Sequence, residues 1–424
     1  MTNFPRPIPL DEQKALETVK HRQVPLRRQL LNLALIIAAI VVPFVASGKS
    51  TILLMIGCLA FFIMFHEFGH FAVAKASGMK VTEFFIGFGP KLFSVRRGET
   101  EYGIKAIPAG GYVKIIGMSS TEQVADEDEL RTYRRQRWYK RVATILAGPA
   151  SHFLMAYLLL VVIFGFTGRR ELTTQIGLAE PGFPAAAAGL ASGDRVVGIQ
   201  GVAAENWNDV LASLDSIKTP VVQLDIEAAD GTRRTLSVTR KSEVTNGVKR
   251  WVLGIRPASQ VYVTESVPTA MGMAGSTLVD YSGQTLSGVA RFFSPSTLVN
   301  FAKQVKGARN STGALTQAEL ENRPTSIIGM TQVGAQAASE GITPLLEILV
   351  IINLALGTFN LLPMLPLDGG HIVVATYESV MGKFTKRRHF LNMERLTPVV
   401  AAFFGLLLML GLGAMYLDIV RPVF

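Results

Sequence analysis

The sequence predicts a polytopic α-helical membrane protein: about five transmembrane helices, a membrane-associated β-rich loop and a compact β-rich domain inserted on the outer side. Three observations carry this. Of 424 residues 49% are hydrophobic and only 17% are charged, which argues against a fully soluble chain. The apolar residues gather into runs near the ~20 residues that cross a ~30 Å hydrocarbon layer. Between the third and fourth runs lies a long stretch of short alternating segments broken by glycine, the pattern of strands and turns.

The elements follow in order. Residues 1–29 are polar and basic, a cytoplasmic N-terminal segment in which no cleavable signal peptide is expected. A first span, 30–48, runs from Leu30 to Ser47 with Pro43 near its outer end, and after Gly48-Lys49-Ser50 a second occupies 51–74. The loop 75–141 carries alternating apolar residues and glycine pairs from Thr82 to Met118, and a third span is 142–166. A fourth, 343–381, is apolar from Thr343 to Leu367 with Glu347 near its start, and the last is 396–418. Basic residues flank the short connections: Arg22, Arg27 and Arg28 before the first span, Arg131, Arg134, Arg135, Arg137, Lys140 and Arg141 before the third, and Lys383, Lys386, Arg387 and Arg388 before the last. The positive-inside rule then puts the N-terminus and these loops in the cytoplasm and Thr167 to Gly341 outside. The net charge of +10 belongs to these loops, and no nucleic-acid partner is expected. A single cysteine, Cys58, excludes an intrachain disulfide.

Within the outer stretch, 175–257 is expected to fold by itself. Phe183 to Leu190 forms a short helix, Ser192 to Gly201 a turn and an apolar strand, Trp207 to Leu214 a second helix, and Val221 to Glu227 and Thr232 to Val238 alternating strands. This pattern resembles a bacterial PDZ domain, whose groove captures a chain end by strand addition. The remainder, 258–341, is expected to hold amphipathic helical pieces (Thr277 to Phe293, Pro295 to Lys306) and, from Gly307 to Pro324, a polar segment whose composition predicts mobility.

Chemistry enters with His66-Glu67-Phe68-Gly69-His70, which follows the uncharged run Ile52 to Phe65 inside the second span. Residues four apart share one helix face, so both imidazoles can turn toward one metal ion while Glu67 remains free to act as a general base. This H-E-x-x-H spacing is the zinc metallopeptidase signature. Ionisable groups at membrane depth are costly and therefore usually functional; the other reading is a polar patch packed between helices. Catalytic zinc takes three protein ligands and keeps one open position. Glu83 lies in the right sequence range but in the strand-like Val81 to Phe85. The better candidate is Asp368, in the run Asn360 to His371 that closes the fourth span. His66 comes about fifteen residues, or ~22 Å, into its span, and Asp368 sits at the inner end of its own, so their depths match. Pro363, Pro366 and the two following glycines break the helix there. His371 is a competing ligand, or else a capping or interfacial histidine.

His66-Glu67-x-x-His70 together with Asn360-x-x-Pro363…Leu367-Asp368-Gly369 resembles the paired signatures of the site-2 protease family of intramembrane zinc metalloproteases. Gly87-Phe88-Gly89-Pro90, Gly98 to Tyr102 and Gly110-Gly111-Tyr112-Val113-Lys114 are similar to runs of its bacterial, regulator-of-sigma-E-protease-like branch with a single PDZ domain. The resemblance covers Ile52 to the C-terminus. It implies one Zn2+ per chain held by His66, His70 and Asp368, Glu67 as general base, and Asn360, Pro363, Gly110, Gly111 and Tyr112 as substrate-binding residues. It also implies a bacterial plasma (inner) membrane location. The substrates would be membrane-anchored proteins such as anti-sigma factors, cut after another protease has trimmed them. Three departures stand out: His152 in Gly148-Pro149-Ala150-Ser151-His152 replaces the family's usual asparagine, only one PDZ-like domain is present, and the span Leu30 to Ser47 is additional. The alternative is a non-catalytic membrane zinc-binding scaffold or a metal transporter. A transporter would spread polar residues over several spans, and a dead scaffold would be expected to lack Glu67.

Overall fold

Apolar helices carry the candidate site, and their burial ranges from a thin stripe on Ser50–Ala76 to most of Ile342–Asn360. A computed structural model describes residues 26–118, 122–245, 248–258, 260–308, 323–386, 390–391 and 396–421. Arg22, Arg387 and Arg388, most of the 1–29 segment and most of the polar segment 307–324 lie outside these residues. The chain divides into two units, Met1–Val161 with Met271–Phe424, and Val162–Ala270.

The first unit begins with α1 (Leu26–Ala46) and α2 (Ser50–Ala76). On α2 the buried residues are Met55, Phe62, His66, His70 and Ala74, spaced by seven and four, so the two histidines continue an apolar packing stripe. A two-stranded element follows, β1 (Val81–Arg97) and β2 (Thr100–Ile115), and both strands bend. As a result the start of β1, around Phe84–Ile86, pairs on one side with Gly111–Val113 and on the other with Tyr102–Ile104, which in turn pairs with Phe93–Val95. Gly87 and Gly89, both at φ +84°, make the bend in β1, a conformation that a Cβ disfavours. Ala74, Met79, Val81, Ile115, Tyr133 and Ile145 form a core that fixes this sheet to the ends of α2 and of α3 (Trp138–Val162).

The second unit contains β3 (Arg169–Leu172), β4 (Ile176–Ala179), the short α4 (Pro184–Ala187), β5 (Arg195–Ile199), β6 (Val202–Ala203), α5 (Trp207–Ser216), β7 (Val221–Glu227) and β8 (Arg233–Thr239). Strands β9 (Lys241–Thr245), β10 (Val248–Val252), β11 (Ile255–Pro257) and β12 (Gln260–Val263) complete it. The antiparallel sheet β6-β5-β7-β8 turns Val196, Ile199, Val222, Leu224 and Ile226 onto Trp207 and Val210 of α5. Helix α5 starts at a reciprocal cap between Asn206 and Asp209.

The chain then returns to the first unit through α6 (Val267–Phe292), α7 (Pro295–Gly307), α8 (Ile327–Glu340), α9 (Ile342–Asn360), α10 (Asp368–Thr385) and α11 (Thr397–Val420). Helix α6 starts ten residues before the expected Thr277. Helix α8 was not expected at all: its buried face is Gly329, Thr331, Gly334, Ala335 and Ala337, too small to register as a hydrophobic stripe. A buried ion pair, Arg323 to Asp418 at 2.7 Å, ties the approach to α8 onto α11.

Among the described helices, Ser50–Ala76, Trp138–Thr167, Ile342–Asn360 and Thr397–Val420 are long and apolar enough to cross a membrane, and Leu33–Ala46 of α1 is a shorter apolar stretch. The expected continuous span 343–381 is instead two helices. Helix α9 ends at Asn360, and Asp368 lies in the first turn of α10 rather than at the end of the preceding span. Pro363 and Pro366 account for the break, since neither can donate a helical hydrogen bond.

Candidate metal centre

One turn of α2 separates His66 from His70, and their Nε2 atoms approach to 3.1 Å. Asp368, delivered by the start of α10, sets Oδ2 3.1 Å from His66 Nε2 and Oδ1 3.5 Å from His70 Nε2. Tetrahedral zinc, with bonds of about 2.0–2.2 Å to nitrogen and oxygen, keeps its ligand atoms ~3.3 Å apart. The observed spacing fits that ion. Among the described residues these three donors form a cluster within 4.8 Å, and both histidines are buried.

Two neighbours set the ring orientations. His70 Nδ1 lies 2.8 Å from the Thr144 carbonyl oxygen, so it donates there and leaves the Nε2 lone pair facing the cluster. His66 Nδ1 is buried without a hydrogen-bond partner among the described residues, and packing against the His152 ring orients this imidazole. Helix α3 comes very close here. A Cβ on Gly148 would overlap His70 Nε2 and sit 2.8 Å from His66 Nε2, and one on Gly69 would overlap the Ala147 carbonyl. Glycine at both positions lets the two helices touch through backbone.

One turn beyond Gly148, His152 packs its ring centroid 5.0 Å from that of His66. Its Nδ1 is 3.0 Å from Asn353 Oδ1, and Asn353 Nδ2 donates to the Leu349 carbonyl at 2.9 Å. Both side chains are buried. Sequence reasoning did not place His152 or Asn353 at the centre. The available signals were a second histidine-bearing span and an asparagine in the middle of α9.

Glu67 lies against the sheet, within electrostatic reach of His66, His70 and Asp368. A Cβ on Gly111 would lie 3.0 Å from Glu67 Cγ, and the Val113 backbone N–H faces the Glu67 carboxylate. Gly110 precedes this contact at φ +137°. Tyr112 stacks on Phe85 and Phe88, donates to Glu83 and accepts from Lys105 at 2.7 Å. Glu83 is therefore engaged within the sheet and stands outside the donor cluster, as does His371. Asn360 is the last residue of α9, and Pro363 lines an apolar cavity of about 280 Å³ with Gly370, Val373, Tyr377 and Val399.

Comparison with known proteins adds to the geometry. Residues 54–404 match peptidase family M50. The chain is 29% identical over 403 residues to zinc metalloprotease Rip1 of Mycolicibacterium smegmatis, across 85% of this chain and 95% of that protein. It is 31% identical over 407 residues to zinc metalloprotease Rip1 of Mycobacterium tuberculosis, with the same coverage of 85% and 95%.

Proposed function

This chain belongs to peptidase family M50, the site-2 protease family, and is an intramembrane zinc metalloprotease; we propose that it cleaves transmembrane segments of membrane-anchored regulators of the anti-sigma-factor type after a first cut elsewhere. The observation that carries the site assignment is the convergence of His66, His70 and Asp368 beside the strand segment that meets Glu67 at Gly111. In this reading the three donors hold one zinc ion, whose chemistry is to polarise a peptide carbonyl and make water nucleophilic near neutral pH.

Glu67, next to a ligand but outside the cluster, takes the proton from the attacking water and passes it to the leaving amine. A transmembrane helix keeps its carbonyls in hydrogen bonds, so the substrate has to be extended before it is cut. The Gly111–Ile115 segment is suited to holding it extended, since β1 covers one side of the segment and Val113 turns its N–H outward to Glu67. A substrate strand added along this edge brings its backbone to the proton carrier. Asn360 and Pro363 hold the strand from the other flank. The basic loops support a bacterial inner-membrane orientation with the N-terminus inside and a PDZ-like domain, 175–257, outside.

The test is a pair of variants of the full chain in proteoliposomes with a tagged transmembrane substrate. Glu67→Gln is expected to keep one zinc per chain and lose cleavage by about 10²–10⁴-fold. Asp368→Asn is expected to lower both zinc content and cleavage. Unchanged cleavage by the first variant removes the proton carrier. Retained zinc in Asp368→Asn, with loss in Glu83→Gln, moves the third ligand to the sheet.

A further inference from the structure

A second polar concavity lies away from the donor cluster, between the start of α3 and the far end of α10. It encloses about 500 Å³, within the range of small-molecule sites, and its walls carry Arg134, Arg135, Arg137, Arg141, Lys383 and Lys386. Half of these charges are answered. Glu129 takes Arg134 at 2.6 Å and Arg135 at 2.9 Å, and Glu378 takes Arg141 at 2.6 Å. No ion pair among the described residues neutralises Arg137, Lys383 or Lys386, and all three are exposed. Two aromatic residues line it, Trp138, 45% exposed, and Phe390. The Trp138 indole N–H is held by Thr376 at 3.2 Å.

Trp138 is also the first residue of a helix apolar enough to span a membrane, so the concavity opens at the water–hydrocarbon boundary. We propose that this concavity binds the phosphate headgroup of an anionic phospholipid, with the acyl chains running along the outside of α3. The cations without an ion pair among the described residues supply the charge, and the Arg141–Glu378 bridge joins α3 to α10 at the floor. The aromatic lining favours a lipid over a free anion, because soluble phosphate gains nothing from Trp138 or Phe390. The arrangement matches the general rule that basic pockets between membrane helices take anionic headgroups.

The experiment uses the full chain in detergent, with lipid retention counted by native mass spectrometry and thermal unfolding as a second readout. Phosphatidylglycerol is expected to be retained and to raise the unfolding midpoint, and phosphatidylcholine to do neither. A basic group near an anionic surface contributes about fivefold to binding, so the triple variant Arg137→Gln, Lys383→Gln, Lys386→Gln is expected to weaken retention about a hundredfold. A control variant with the same net charge, Arg27→Gln, Arg96→Gln, Arg97→Gln, is expected to retain lipid as the parent does. Equal retention of the two lipids, or equal loss in both triple variants, overturns the proposal. So does full displacement of the lipid by millimolar inorganic phosphate, which makes this a soluble-anion site.

Discussion

At Gly148 a single methyl group would claim the space of two imidazole nitrogens. Alanine is favoured over glycine within a helix by up to ~1 kcal/mol, whereas overpacking a tight contact costs about 1–3 kcal/mol. The contact here is with ring atoms that cannot retreat without leaving the donor cluster, so the clash wins. Gly148→Ala is expected to lower zinc affinity at least tenfold while far-UV circular dichroism stays helical. Elemental analysis after dialysis against a weak chelator checks it, and unchanged zinc content shows that the helices can separate. His66 and His70 are legible in sequence because the i, i+4 rule is local. Asp368 could be suggested from matched depth, from the Pro- and Gly-broken run around it and from the family resemblance, but not from local spacing. Gly148, His152 and Asn353 could not be, since their relation to His66 exists only where α3 and α9 cross α2.

The bent β1–β2 element is anchored by charge. Arg131 and Lys75 flank the Glu99 carboxylate at 2.8 Å and 2.6 Å, and the Arg131 guanidinium above all holds its pKa down at about 2. A depressed carboxyl stabilises the fold above its unfolded value of about 4.3 and loses that contribution as pH falls from there toward 2. Glu99→Gln is therefore expected to lower the unfolding midpoint at pH 7 and to leave it close to the parent's near pH 2.5. Differential scanning fluorimetry at the two pH values decides it, and an equal difference at both removes the ion pair as the cause. Alternating residues announce a strand-rich element in this loop, but they do not reveal that each strand bends and pairs on both sides. Glycine at positive φ permits that fold, and the core around Met79 and Tyr133 selects it.

At the scale of the whole molecule the insertion is separable. Strands β3 and β12 pair antiparallel immediately outside 175–257, with Leu172 opposite Gln260, so removing 175–257 joins chain ends that are already neighbours. If that domain filters substrates by size, its deletion is expected to leave cleavage of a pre-trimmed transmembrane substrate intact. The same deletion is expected to allow a full-length substrate to be cut without a first cut. Co-expression with tagged substrates of both kinds and immunoblotting reads the outcome. Loss of cleavage of the trimmed substrate, in a folded and zinc-loaded variant, makes the domain a required receptor instead.

Membrane insertion and the H-E-x-x-H spacing are properties of neighbours in sequence. Hydrophobic runs and a helical period are enough to specify them, and the sequence by itself determined both. The split of the expected fourth span was only half visible: the prolines marked a break, but that Asp368 would open a new helix depended on how the chain re-entered the bundle. Helix α8 stayed hidden because glycine and alanine carry too little apolar surface to mark a face. Which side chains surround His66, which sheet edge meets Glu67 and where the cations of the second concavity converge were decided by tertiary structure alone. Those relations are distances between elements far apart in sequence, set by backbone contacts at Gly69, Gly111 and Gly148, where absent side chains leave no pattern to detect.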